Sequence, residues 1–110
     1  MVVGAGALAT VNAYFSQNIA GCGGGGIAVL GRLELFGSLL LGNTGRLGGG
    51  IGIAQGGVAN IFGTSFRDNE AVQGGAINNT VNGRVDIAES SFIGNGAVSA
   101  GATQGLGGAI

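Results

Sequence analysis

The chain has 110 residues, of which 27 are glycine and none is proline, histidine or tryptophan, with four basic and five acidic side chains. So much glycine beside 45% apolar residues excludes a disordered tail and also a helical bundle, which would lose about 1 kcal/mol for each Gly relative to Ala. A net charge of −1 without any basic stripe excludes nucleic acid as a partner.

The first part of the chain, residues 1–31, contains no charged side chain. A membrane-spanning helix is not expected here, because Asn12, Gln17, Asn18 and the glycine run 23–26 would place unsatisfied polar groups in lipid. A signal peptide is not expected either, since no Lys or Arg precedes the apolar stretch. We interpret the segment as the beginning of a trimmed or partial chain.

Two short motifs alternate along the chain at a nearly constant period. The first is an apolar residue followed three positions later by Asn, and its apolar positions are separated by 25, 26 and 26 residues. The second is a glycine-rich turn that ends in Ile, and it follows the Asn after 9, 8, 8 and 15 residues. The first motif supplies Phe15, Leu40, Phe66 and Phe92 with Asn18, Asn43, Asn69 and Asn95, and the second supplies Ile27, Ile51, Ile77 and Ile110.

Short alternating segments precede the first motif. Residues 32–36 and 84–88 alternate polar and apolar side chains, the period-2 pattern of a strand with one buried face. Leu33, Leu35, Val85 and Ile87 are therefore predicted to point inward. Small hydroxyl side chains at Ser38, Thr64 and Ser90 then suit a bend before the next strand.

A period of about 25 residues with three short strand-like pieces and glycine corners predicts one turn of a parallel β-helix. The fold class is therefore all-β: a right-handed, single-stranded parallel β-helix of about four coils of 25–26 residues, occupying residues 1–110 as one domain. Stacking the coils at about 4.8 Å pairs every strand with its neighbours and joins their inner faces into one core. The right hand follows from the general rule for parallel crossovers.

Each repeated residue has a structural role in such a coil. The Phe and Leu positions form an interior column, and the Ile positions return the chain to the core. The Asn side chains form a ladder of amides between coils, and Asn also tolerates the left-handed backbone of a corner. The glycines supply tight turns.

The motifs F-x-x-N and G-G-[AG]-I resemble the repeats of polymorphic outer membrane proteins, which are bacterial autotransporter adhesins with a right-handed β-helix passenger. The resemblance covers residues 7–110, and Leu40 departs from it by replacing Phe. It implies a passenger segment at the bacterial cell surface or outer membrane, or secreted, with host-cell surface or matrix components as partners. The C-terminal membrane barrel of that family is not found in this chain, so the resemblance does not extend to autotransport.

Catalytic and metal sites are not expected. Glu34 and Asp86 share a coil position but lie two coils apart, Asp68 and Glu70 flank Asn69, and Glu89 lies on another segment. No two carboxylates therefore occupy the same position in adjacent coils, so the paired carboxylates of glycoside hydrolysis have no obvious source, and the chain has neither His nor Lys for acid–base chemistry. Cys22 has no partner for a disulfide or a metal site, and we interpret it as a small apolar filler. We expect no cofactor and no metal.

The sequence thus predicts a non-catalytic structural or adhesive surface repeat. Two alternatives remain open: a fragment of a β-helix carbohydrate-active enzyme whose catalytic coils lie elsewhere, and a glycine-rich filament subunit that associates end to end through uncapped strand edges. Residues 96–106 form an insertion about seven residues longer than the matching segments of the neighbouring copies, and we interpret it as a surface loop.

Overall fold

Fifteen short strands follow one another in the computed structural model, which describes residues 1–97. The strands are β1 (Val2–Val3), β2 (Leu8–Val11), β3 (Tyr14–Ser16), β4 (Ile27–Val29), β5 (Arg32–Phe36), β6 (Leu39–Leu41), β7 (Thr44–Leu47), β8 (Ile51–Ile53), β9 (Val58–Phe62), β10 (Ser65–Arg67), β11 (Glu70–Gln73), β12 (Ile77–Asn79), β13 (Arg84–Ala88), β14 (Ser91–Ile93) and β15 (Gly96–Ala97).

The strands form four parallel sheets, and each coil of the chain contributes to them in turn. Sheet 1 contains β1, β4, β8 and β12; sheet 2 contains β2, β5, β9 and β13; sheet 3 contains β3, β6, β10 and β14; sheet 4 contains β7, β11 and β15. Residues in neighbouring strands pair in register across 24 to 26 positions, for example Val2 with Ala28, Leu8 with Arg32 and Val58 with Arg84. This arrangement confirms the all-β, parallel β-helix of about four coils.

The number of strands in each coil differs from the sequence prediction. Three pieces were expected, whereas a complete coil has four, the additional one being the sheet 4 strand after the Asn. The inward positions there are Gly45 and Ala71, which pair in register and are both buried. Because these residues are so small, the segment lacks the apolar alternation by which a strand is recognised.

The core runs through the inside of the coils. Leu33 and Leu35 of β5 are buried, and Val85 and Ile87 of β13 pack half-buried against the same core, so their predicted inward orientation is confirmed. The second and third coils supply most of the fully buried side chains, because each has another coil on both sides. The buried apolar residues are Val3, Ile27, Val29, Leu33, Leu35, Leu40, Ile51, Ile53, Ala59, Ile61, Phe66, Ala71, Ala76 and Ile77.

A left-handed corner lies one residue before each ladder Asn. None of the four ladder Asn residues has a positive φ, and the residue before each one does: Gln17, Gly42, Asp68 and Gly94. The tolerance of Asn for this conformation is therefore not used at the ladder positions. A single left-handed residue makes the bend, which leaves the Asn side chain free to point along the stack.

The glycine motif is needed for close packing as well as for turning. Gly48 has φ +83°, and a Cβ there would overlap the carbonyl oxygen of Ile51 in the same turn. A Cβ at Gly49 would overlap the carbonyl oxygen of Gly75 in the next coil. The first glycine of the motif thus permits the turn and the second permits the coils to approach each other.

Candidate functional site

A ladder of Asn side chains runs along the inside of the stack, as the repeat predicts. Asn18 donates through Nδ2 to Oδ1 of Asn43 at 2.9 Å, Asn43 donates to Asn69 at 3.0 Å, and Asn69 donates to Asn95 at 2.9 Å. Each of these Oδ1 atoms also accepts the backbone N–H of the Asn in the preceding coil. Asn43 and Asn69 are completely buried, and these bonds satisfy their amides.

The apolar column next to the ladder is also in register. Phe15, Leu40, Phe66 and Phe92 occupy one position in four neighbouring strands of sheet 3. The rings of Phe66 and Phe92 are stacked with their centroids 4.8 Å apart and their planes 4° from parallel. Among the predicted Ile positions, Ile27, Ile51 and Ile77 pair in register at the start of the sheet 1 strands and are buried.

Two predictions fall on the last residues of the chain. Ile110 lies outside the described residues, and so does the predicted insertion loop apart from Gly96 and Ala97, which form β15.

A second row of polar groups consists of hydroxyl side chains, which lie in the corners just after the strands of sheet 2. Ser38 Oγ accepts the backbone N–H of Ala13 at 3.0 Å, Thr64 Oγ1 accepts that of Ser38 at 3.4 Å, and Ser90 Oγ accepts that of Thr64 at 3.2 Å. Each hydroxyl donates in turn to the carbonyl two residues before it. The sequence indicated a bend at these residues, and the structure shows that they also connect one coil to the next.

The outer face of sheet 2 carries both ion pairs found among residues 1–97, together with two exposed phenylalanine side chains. We define this face by the outward side chains of its strands, which form three rows across the coils. The rows are Leu8, Arg32, Val58 and Arg84; Thr10, Glu34, Asn60 and Asp86; and Phe36, Phe62 and Ala88.

The central row combines two carboxylates with an amide. Glu34 and Asp86 both pair with Asn60, so they occupy one coil position two coils apart, as predicted. At the usual strand spacing their backbones are separated by about 10 Å. Asn60 Nδ2 donates to Glu34 Oε1 at 3.2 Å and thereby connects adjacent members of the row.

Each of these carboxylates forms an ion pair within its own strand. Arg32 Nε donates to Glu34 Oε1 at 3.0 Å, and Arg84 Nε donates to Asp86 Oδ2 at 2.9 Å. Both pairs are largely exposed to solvent, so each contributes at most about 1 kcal/mol to stability. In the structure each pair turns one oxygen of the carboxylate toward the arginine of the same strand.

Two aromatic side chains lie beside the central row. Phe36 and Phe62 pair in register on adjacent coils and are 43% and 54% exposed. Together with Glu34, Asn60 and Asp86 they line a shallow depression of about 280 Å³. Exposing aromatic rings to water is unfavourable, and contiguous exposed apolar surface often marks an interaction site.

The sequence analysis did not identify this aromatic pair. The signal was nevertheless present, because Phe36 and Phe62 stand at the outward positions of two aligned strands whose inward positions are apolar. A large aromatic residue at an outward position in two successive copies has no role in the core. The remaining acidic residues lie outside the three rows, with Asp68 at a left-handed corner, Glu70 at the start of β11 and Glu89 at the left-handed corner directly after β13.

A second depression, of about 290 Å³, lies over sheet 1. It is mainly apolar, and its lining includes Leu30, Leu47 and Gly52. Cys22 is exposed, so the interpretation of this residue as an apolar filler is wrong. Within residues 1–97 there is no cluster of metal-ligating side chains, and no helix there is long and apolar enough to cross a membrane.

Comparison with known proteins gave no match: no family model, no curated protein and no solved structure is similar to this chain at a significant level.

Proposed function

We propose that this chain is a non-catalytic segment of a β-helix at the bacterial cell surface or in secreted form, where it supports and presents an adhesive face. The observation that carries the proposal is the exposed pair Phe36 and Phe62 beside the polar row on the outer face of sheet 2. The resemblance of the repeats to those of autotransporter passengers supports the location and makes host-cell surface or matrix components the expected partners.

The interior explains how such a face is kept in place. The Asn ladder, the hydroxyl row and the strand pairs connect each coil to its neighbours by hydrogen bonds. Positions on the outer face therefore cannot slip relative to one another without breaking buried hydrogen bonds, which is costly. A stiff support with fixed surface rows is suited to holding a binding face away from a cell.

Adhesion can be tested with microspheres coupled to the protein through Cys22, which is the one cysteine in the sequence and is exposed. We expect coated spheres to bind to epithelial cells or to deposited matrix, and we expect the double variant Phe36→Ser/Phe62→Ser to reduce binding at least fivefold. Leu30→Ser provides a matched control, because Leu30 is as exposed as Phe36 but lies over sheet 1. Equal binding by the wild type and the double variant would contradict the proposal, and turnover of a polysaccharide would favour the enzyme alternative.

A second candidate, end-to-end association of copies of this chain, is favoured by the first coil. Strands β1, β2 and β3 are the outermost strands of sheets 1, 2 and 3, and large apolar side chains near them are exposed, including Leu8 and Tyr14. Unprotected strand edges promote pairing with another chain. We expect the mass measured by sedimentation to rise with concentration and Leu8→Lys/Tyr14→Lys to lower it, whereas a monomer at all concentrations would contradict this candidate.

A further inference from the structure

The hydrogen-bonding groups left free on the outer face of sheet 2 include a row of acceptors and, beside it, the Nη donors of Arg32 and Arg84, whose pairs use only Nε. Glu34 uses Oε1 for Arg32 and Asn60, and Asp86 uses Oδ2 for Arg84. The other carboxylate oxygen of each, together with Asn60 Oδ1, makes no hydrogen bond to any described residue. Three acceptors thus stand in one row on three successive coils, and a ligand that fits them must offer several donors in a line.

The charge of this face narrows the class of ligand. Its outward side chains include two arginines and two carboxylates, which neutralise each other in the pairs Arg32–Glu34 and Arg84–Asp86. A face without net charge gives no long-range attraction to a polyanion or a polycation. Its polar groups, which are acceptors in the central row and donors on the two arginines, therefore suit an uncharged ligand whose hydroxyl groups both donate and accept hydrogen bonds.

The aromatic row supplies the complementary apolar contact. Phe36 and Phe62 lie next to the acceptor row and repeat at the spacing of the coils, about 4.8 Å. That spacing is comparable with the length of one sugar residue along an extended glycan. A pyranose ring has one face rich in C–H groups, which packs on an aromatic ring, and a rim of hydroxyl groups, which donate to carboxylate and amide oxygens.

We infer that the outer face of sheet 2 binds a neutral glycan, whose sugar rings pack on Phe36 and Phe62 while its hydroxyl groups donate to Glu34, Asn60 and Asp86. The glycan runs across the coils, so that successive sugars contact successive members of each row. The inference rests on the proposed adhesive function and identifies the chemical class of the partner.

Direct binding tests this assignment without cells. The intact 110-residue chain is titrated with neutral hexasaccharides of glucose and of mannose, and the side-chain amide and aromatic NMR signals are followed. We expect saturable shifts at Asn60 and at the two phenylalanines, with at least tenfold weaker binding for Phe36→Ser/Phe62→Ser and at least fivefold weaker binding for Asn60→Ala. Leu30→Ser is expected to bind like the wild type.

Ionic strength separates neutral from charged ligands. Between 50 and 500 mM NaCl the Debye length falls from about 14 to about 4 Å. The affinity for a neutral glycan is expected to change less than twofold over this range, because the ligand carries no charge that salt could screen. Preference for heparin or hyaluronan, with affinity that falls steeply as salt increases, would overturn the inference.

The two proposals fail in different ways. If coated spheres adhere through the sheet 2 face but no neutral hexasaccharide binds, and adhesion survives enzymatic removal of glycans from the cells, the ligand is a protein. That result would overturn the glycan inference and keep the adhesive function. If the hexasaccharides bind and the spheres do not adhere, the glycan inference stands and the adhesive function fails.

Discussion

Replacing Asn69 by alanine tests whether the buried ladder holds the coils together. Asn69 accepts two hydrogen bonds through Oδ1, from the backbone N–H and the Nδ2 of Asn43, both at 3.0 Å. It donates through Nδ2 to the Leu40 carbonyl at 2.8 Å and to Asn95 Oδ1 at 2.9 Å. Alanine removes all four bonds at a site that is completely buried.

The loss can be estimated from the donors that are left without a partner. Asn43 is itself completely buried, and without Asn69 both its backbone N–H and one hydrogen of its side-chain amide lose their acceptor. A buried unsatisfied donor costs about 1–3 kcal/mol, so the expected decrease in the free energy of unfolding is about 2–6 kcal/mol. That is a large part of the 5–15 kcal/mol, roughly, that stabilises a small domain.

The decrease is measured by urea unfolding followed by circular dichroism at 25 °C. Asn18→Ala is the matched control, because Asn18 occupies the same coil position but is exposed, and Asn43 Oδ1 still accepts the backbone N–H of residue 18. This control is expected to lose at most about 1 kcal/mol. Equal losses for the two variants, or a loss below about 1 kcal/mol for Asn69→Ala, would refute the argument that buried ladder bonds stabilise the stack.

Substitutions at Phe66, Gly49 and Glu34 test other parts of the fold by the same unfolding measurement. Phe66→Ala is expected to lower the free energy of unfolding by about 3–5 kcal/mol. Phe66→Leu is expected to lower it by less than about 1.5 kcal/mol, because Leu40 already occupies the same position in the neighbouring coil. Equal losses for the two variants would contradict an interior apolar column. Gly49→Ala is expected to lower the free energy of unfolding by about 1–3 kcal/mol or more, because the added Cβ would overlap the next coil. Gly21 has open space around it, so Gly21→Ala is expected to leave the stability unchanged. Glu34→Gln is expected to change stability by less than about 1 kcal/mol, since its ion pair is exposed, and a larger loss would give that pair a structural role.

The sequence could predict those parts of the fold in which one residue type recurs at one coil position. Stacking places identical residues directly above each other, so the apolar column, the Asn ladder and the Ile positions were recognisable from their period alone. The same repetition set the length of the coil and therefore the parallel sheets. The inward orientation of Leu33 and Leu35 followed from their alternation with polar residues.

Other features have no periodic signal in the residue type. Sheet 4 was missed because its inward positions, Gly45 and Ala71, are too small to produce an apolar pattern. The left-handed corners had no signal in the sequence because the residue before each ladder Asn differs in type, being Gln17 and Asp68 in two coils and glycine in the others. A backbone conformation that several residues can adopt leaves little trace in composition.

The same reasoning explains why a binding face belongs on the outside of this fold. Inside the coils each position is dictated by its neighbours above and below, so a side chain such as Asn69 cannot change without leaving buried groups unsatisfied. Outward positions of sheet 2 carry no such constraint, and simple solubility would fill them with small polar residues. Phe36 and Phe62 depart from that expectation together, in register and beside a row of free acceptors. These two exposed rings take no part in the core, and this supports the proposal that the outer face of sheet 2 binds a ligand.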